Sequence, residues 1–156
     1  MAHRESIRQY LEATILPKSA KVVDWGCGTK PVKRYVKHEG ATFYGIDKLG
    51  HVGADLVTDI EAPTVLDKQY DHAFCMEVLE HTKQPEEVLN NIYINLKPNG
   101  ILHMSVPFLY KVHSEEDYWR FTDQGLVLLL ERNGFKVDII IPTEDNMGWI
   151  ARARRV

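Results

Sequence analysis

The sequence predicts a doubly wound, mostly parallel α/β sheet with helices on both faces and one reversed strand at its C-terminal side. Three observations carry that reading. Short apolar runs alternate with amphipathic stretches along most of the chain, the pattern of strand–helix–strand units. The last two apolar runs are joined only by a short turn, so they should pair antiparallel. The chain has 156 residues, 44% hydrophobic and 26% charged, which suits one domain with one core and excludes collagen-like, disulfide-dense and disordered classes.

Ser6 to Leu16 reads as a first helix, with Ile7, Tyr10, Leu11 and Ile15 at helical spacing and Pro17 ending it. Lys21 to Gly26 is a short strand stopping at a glycine-rich turn. Pro31 suits a first helical position, where its missing N–H costs nothing. Val32, Tyr35 and Val36 face that helix inward, and Gly40 closes it. Ala41 to Asp47 is the second strand, and a shorter one lies near Val52 to Leu56. Tyr70 to Met76 is the next strand. A helix from Pro85 to Leu96 follows, its acidic first turn suited to the positive helix end. Lys97 to Gly100 has turn chemistry, and Ile101 to Val106 is a strand. A long loop runs from Pro107 to Arg120. Thr122 caps a helix carrying Leu126, Leu128, Leu129 and Leu130, which Gly134 stops. The final strands, FKVDIII and MGWIARAR, join through a turn near Thr143 to Asn146.

The chemistry gathers after the first strand, in Asp24-Trp25-Gly26-Cys27-Gly28-Thr29-Lys30-Pro31. Glycines at 26 and 28 let the chain turn sharply and let a ligand approach the backbone. Asp47 ends the second strand, 19 residues beyond Gly28. A carboxylate there accepts from the ribose hydroxyls of an adenosine. A dinucleotide fingerprint wants a third glycine where Pro31 stands, and Asp24 would repel a pyrophosphate. An acid at that place suits a cation instead, which favours the sulfonium and ammonium groups of S-adenosylmethionine over NAD.

With those residues in view, the chain resembles class I S-adenosylmethionine-dependent methyltransferases, which share a Rossmann-like fold. The resemblance is to the small type-11-like branch and its ubiquinone-type O-methyltransferase relatives. It is carried by VVDWGCGTKP (22–31), YGID (44–47), DLVTDIE (55–61), YDHAFCMEVLEH (70–81), LKPNGILHMSVP (96–107), HSEEDYWRFT (113–122) and GF (134–135), in the family's order. One departure is Lys30, where many relatives have a third glycine. The resemblance implies S-adenosyl-L-methionine as cofactor. Asp24, Trp25, Gly26 and Gly28 would line its methionine end, Asp47 would bind the ribose, and Lys48 would lie beside the adenine. Asp59 and Ile60 would form the adenine turn, Met76 would offer its carbonyl to the ammonium group, and Glu77 would begin the reaction pocket.

A sulfonium methyl is already activated, so the domain must chiefly align the acceptor and exclude water. His113 is the preferred base, with His81 the second catalytic candidate. Glu77, Glu80, His81 and His113 also resemble the ligand set of metal-assisted relatives. Against that, Glu-Val-Leu-Glu-His reads as a structural turn with His81 bonded to backbone, and no metal is assigned. Asp117 and Arg120 are expected to pin the loop to the body.

Residues 1–156 thus read as a single methyltransferase domain with a substrate-covering loop near 107–121. The expected reaction is O- or N-methylation of a small-molecule or sugar-type acceptor. The alternative is a cofactor-binding module with little or no transferase activity. The net charge of −3 makes nucleic acid an unfavoured partner. No apolar run approaches the roughly 18 residues of a membrane span. Cys27 and Cys75 match no metal or redox spacing. A cytoplasmic location is expected, and a homodimer stays open.

Overall fold

The computed structural model describes residues 2–156. Seven strands form one sheet in the order β3-β2-β1-β4-β5-β7-β6. They are β1 (Lys21–Trp25), β2 (Thr42–Asp47), β3 (Leu56–Val57), β4 (Tyr70–Met76), β5 (Leu96–Pro107), β6 (Phe135–Pro142) and β7 (Gly148–Arg155). β1 to β5 are mutually parallel, and β7 runs antiparallel to both β5 and β6. This is the predicted doubly wound sheet with one reversed strand.

Four helices cover it: α1 (Ala2–Ala13), α2 (Pro31–Tyr35), α3 (Pro85–Asn95) and α4 (Asp123–Arg132). Strand side chains alternate between the two faces, so the sheet divides the core in two. Ile7 and Leu11 of α1 and Val32 of α2 pack on Val22, Phe74 and Ile150. Val88, Leu89 and Ile92 of α3 and Leu126 and Leu130 of α4 pack on Val23, Ala73, Cys75 and Ala151. Thr122 caps α4 as expected, its hydroxyl accepting from the Gly125 N–H at 3.0 Å.

Several boundaries differ from the sequence reading, each for a local reason. α1 starts earlier and ends at Ala13, and its inner face is His3, Ile7 and Leu11. Ile15 leaves the helix, bridges Lys37 and is 74% exposed. α2 stops at Tyr35 because Val36 is already extended, carrying the chain to that bridge. The short third strand falls at Leu56–Val57, after a 3-10 turn at Gly50–Val52. The Lys97–Gly100 turn sits inside β5 as a bulge: Tyr70 pairs with Leu96, but His72 pairs with Ile101. Asn99, at φ 61°, supplies the left-handed residue this needs.

The connection from β3 to β4 contains no helix. Two buried asparagines one turn apart on α3 hold it instead. Asn91 Oδ1 accepts from the Thr64 N–H, and its Nδ2 donates to the Ile60 and Ala62 carbonyls. Asn95 Oδ1 accepts from the Leu66 N–H, and its Nδ2 donates to the Thr64 carbonyl. These bonds satisfy backbone groups that a helix would otherwise have paired.

Candidate active site

β1 lies between β2 and β4, so the chain leaves it to one side and later returns on the other. Ligands of such sheets bind at this switch point, beyond the carboxyl ends of the strands. Here β1 runs into the glycine turn. The N–H groups of Gly26 and Cys27 both donate to the Ile46 carbonyl, at 2.8 and 3.0 Å, which ties the turn to β2. Gly26 has φ +72°, and a Cβ on it would lie 2.4 Å from Val78 Cγ2. Gly28 has φ +46° and nothing within 4 Å of a Cβ position. One glycine therefore lets the turn pack, and the other keeps a cradle open. Lys30 is also left-handed, at φ 59°, a conformation that glycine adopts without strain. Its ammonium lies 3.6 Å from Asp55.

Two buried carboxylates, Asp24 and Asp47, lie beside this turn. Asp47 Oδ2 accepts from the Gly28 N–H and Oδ1 from the Leu49 N–H, both at 2.9 Å. Asp24 is 6% exposed. Burial, then the charge of Asp47, pushes its carboxyl up to about 7, with Lys30 opposing. A buried acid held against a second acid is poised for a cation.

The other expected ligand residues fall around the same strand ends, with distinctions that sequence could not make. The Trp25 side chain is fully buried in the core under α3, so only its backbone can face a ligand. Ile60 is buried, and its carbonyl is taken by Asn91. Asp59 is exposed, and its Oδ1 accepts from the Glu61 N–H. Met76 ends β4 and is half-buried. Lys48 pairs with Glu116 of the segment after β5, across the cleft.

Glu77 adopts φ 56°, held by its N–H to the Ser105 carbonyl at 3.1 Å. Its side chain turns toward α1, where His3 Nε2 lies 2.8 Å from Oε2. His3 is 2% exposed and anchored through Nδ1 to Thr143 Oγ1 at 2.9 Å. The first helix thus reaches into the site through a residue that sequence reasoning missed. The signal was a histidine one turn before the apolar Ile7 and two turns before Leu11.

The structure brings Glu80, His81 and His113 together, while the Glu77 carboxylate is engaged by His3. Each of those three offers a ligand atom, and the atoms all lie within 4.8 Å of one another. Glu80 is fully buried, and neither of its carboxylate oxygens has a hydrogen-bond partner. Burial, then Glu77, raises its carboxyl to about 9. His81 Nδ1 contacts the Glu116 carbonyl, the expected backbone bond. His113 Nδ1 lies 3.0 Å from Asp117 Oδ2.

Residues 108–122 form an irregular segment over this cluster. The Tyr118 N–H donates to the Glu80 carbonyl at 2.7 Å, and Trp119 Nε1 donates to the Thr82 carbonyl at 2.7 Å. Arg120 pairs with Asp117 and donates to the Tyr110 and Lys111 carbonyls. Asp117 and Arg120 therefore brace the segment. The Arg120 guanidinium holds the Asp117 carboxyl far below the usual carboxylate range.

A 3-2-1-4-5-7-6 sheet with β7 reversed, an open glycine turn after β1 and an acid closing β2 together define a Rossmann-like domain of the methyl-transferring class. The comparisons agree. The family model described as a methyltransferase domain matches residues 2–138, and the chain belongs to that family, whose methyl donor is S-adenosylmethionine. Among curated relatives, it is 32% identical over 150 residues to a ubiquinone biosynthesis O-methyltransferase of Escherichia coli O6:H1, covering 85% of this chain and 60% of the relative. It is 26% identical over 137 residues to the enzyme of that name from Coxiella burnetii (strain Dugway 5J108-111), covering 75% and 58%. The chain thus spans about three fifths of the length of these relatives.

Two solved structures share the fold. One comes from a complex that contains the Haloferax volcanii Trm112 methyltransferase activator. It has a TM-score of 0.83 at 17% identity, covering 98% of this chain and 89% of that one. The other is the 1,6-didemethyltoxoflavin-N1-methyltransferase of Burkholderia thailandensis, with S-adenosylhomocysteine bound. It has a TM-score of 0.76 at 19% identity, covering 99% and 78%.

Proposed function

We propose that this chain transfers the methyl group of S-adenosylmethionine to a small-molecule hydroxyl or amine, with O-methylation the better supported outcome. The observation that carries the reading is the buried Asp24 beside Asp47 at the open Gly26–Gly28 turn. An acid in that position fits a ligand with an ammonium and a sulfonium group, and the open turn at Gly28 lets that ligand approach the backbone closely. The curated relatives named for O-methylation support the choice of acceptor atom.

In this reading Asp24, Gly26, Gly28 and the backbone of Trp25 hold the methionine end. Asp47 takes the ribose, with Lys48 nearby, Asp59 and Ile60 flank the adenine, and the Met76 carbonyl and Glu77 close the other side. When bound, the cofactor supplies an activated methyl on a cationic sulfur. His113 accepts the acceptor's proton on Nε2. Asp117 holds the Nδ1–H, so the free lone pair sits on the other nitrogen. His81 orients the acceptor from the other side of the cluster. Residues 107–121 act as the cover that excludes water, within a single domain. No helix among the described residues is long and apolar enough to cross a membrane; the cytoplasmic location is our own proposal. A flat or sugar-like acceptor would meet Phe108, Tyr110 and Tyr118.

One observation favours a second reading of the same cluster. His81 and His113 each anchor Nδ1 on a backbone carbonyl or carboxylate, which is how metal-binding histidines are commonly oriented. Glu80 adds two buried oxygens that make no hydrogen bond, with His81 Nε2 3.5 Å from Oε1. A divalent ion such as Mg²⁺ or Mn²⁺ there would polarise the acceptor oxygen.

Calorimetric titration with S-adenosylhomocysteine, with NAD as control, tests the first reading. Saturable binding of the former alone supports it, and no binding of either overturns it. Titrating Mn²⁺ into the loaded protein tests the second, and no heat removes it.

A further inference from the structure

A separate cleft lies on the α1 face of the sheet, away from the strand-end site. It has a volume of about 360 Å³ and is lined by Tyr10, His72, His103, Asp138, Arg152 and Arg154, among others. His72 and Met76 stand four positions apart on β4, about 13 Å at the rise of a strand.

The floor of the cleft is an ordered polar stack. His103 lies flat on Phe74, with ring centroids 4.4 Å apart and planes 6° apart. His72 stacks on His103 at 5.4 Å. His103 is 4% exposed and both its ring nitrogens are engaged: Nδ1 with Tyr10 Oη at 2.7 Å, and Nε2 with His72 Nδ1 at 3.1 Å. A phenol is a better donor than an imidazole N–H, so Tyr10 donates to Nδ1. The single proton of neutral His103 then sits on Nε2 and goes to His72 Nδ1. That leaves His72 with its own proton on Nε2, a donor without a protein partner among the described residues.

The charges in the wall differ in their state. Arg154 Nη2 donates to both carboxylate oxygens of Asp138, at 2.9 and 3.0 Å. Arg152 lies opposite His103 in the β5–β7 register, is half-buried, and has no carboxylate partner among the described residues. Two arginines against one aspartate leave the cleft net positive. An unpaired guanidinium beside an unpaired imidazole donor is a receptor for an oxyanion. The volume falls in the range of small-ligand sites and exceeds a bare phosphate, and Ala13 and Ile101 add apolar wall.

We propose that this cleft is a second ligand site that takes a small organic phosphate, its phosphoryl oxygens on Arg152 and His72 and its carbon portion against the apolar wall. The site is independent of the methyl-transfer reading. No residue assigned to the cofactor or the acceptor contributes to it.

The test is NMR of the imidazole resonances during titration with phenyl phosphate, with inorganic phosphate alongside. Phenyl phosphate should shift His72 and His103 saturably with a Kd near 1 mM or tighter, roughly the affinity one charged anchor supports. Inorganic phosphate should shift the same resonances more weakly. Arg152→Gln should weaken phenyl phosphate by about tenfold while melting like wild type. His72→Gln serves as the second variant should that protein not fold. No saturable shift with phenyl phosphate, or an unchanged Kd in a folded variant, overturns the proposal.

Discussion

His113 Nδ1 lies 3.0 Å from Asp117 Oδ2, and Arg120 grips the same carboxylate from its other side. The histidine is thereby presented in one orientation by a chain of three side chains within eight residues. His113→Ala should lower turnover by about 10²-fold, the usual contribution of a positioned base, while S-adenosylhomocysteine affinity stays unchanged. Asp117→Asn should lower turnover less, because it alters the tautomer and not the imidazole itself. Steady-state kinetics with any accepted substrate, paired with calorimetry, separates the two.

Asp24 sets stability against function. Its carboxyl titrates near 7 in the folded protein and near 4 when unfolded. Below pH 4 both states are protonated and its burial carries no charge penalty. Between pH 4 and 7 the unfolded state loses its proton first, so the free protein loses stability as pH rises. Three pK units set an upper bound of about 4 kcal/mol. Asp24→Asn should therefore gain roughly 2 kcal/mol over wild type at pH 8, and no advantage at pH 4. It should also lose at least about tenfold in cofactor affinity. Urea denaturation across that pH range, with and without S-adenosylhomocysteine, reads both effects.

The two glycines of the turn should respond differently to alanine. At Gly26 the new Cβ meets Val78 at 2.4 Å, and both folding and binding should suffer, by about 2–4 kcal/mol in stability. At Gly28 nothing lies within 4 Å. The cost to folding there is the left-handed backbone alone, about 1 kcal/mol, whereas the methyl enters the cradle and should weaken cofactor binding sharply. Melting curves and titration of the two variants give the contrast.

Asn91→Ala removes three hydrogen bonds, from the Thr64 N–H and to the Ile60 and Ala62 carbonyls. We expect a loss of about 2–4 kcal/mol, from unpaired groups left in a covered place. The Thr64 amide should exchange faster with solvent than in wild type, measured by hydrogen exchange.

The fold was legible because its signals are local and repeated. Strand-length apolar runs, Pro31 and Pro85 at helix starts and Thr122 as a cap each act within a few residues. The turn residues of the site were legible for the same reason. What escaped depends on distant partners. His3 looks like any polar residue of a first turn until Glu77 and Thr143 are placed beside it, 74 and 140 residues away. Glu77 and Glu80 share a helical spacing on paper, but the backbone at Glu77 is left-handed, outside the helical turn, and its carboxylate goes to His3. Ile15 fits the helical pattern, yet the bridge to Lys37 draws it out of α1. The fastening of the β3–β4 connection was invisible because it rests on two asparagines of another element.

That fastening also bears on engineering. A helix transmits sequence constraint along its whole length, whereas this connection is fastened at Thr64 and Leu66 by side chains from elsewhere. Val65, between the two fastenings, is 82% exposed and free of both. It is therefore the natural place to graft a fluorophore, an affinity tag or a short insert without disturbing either face of the sheet.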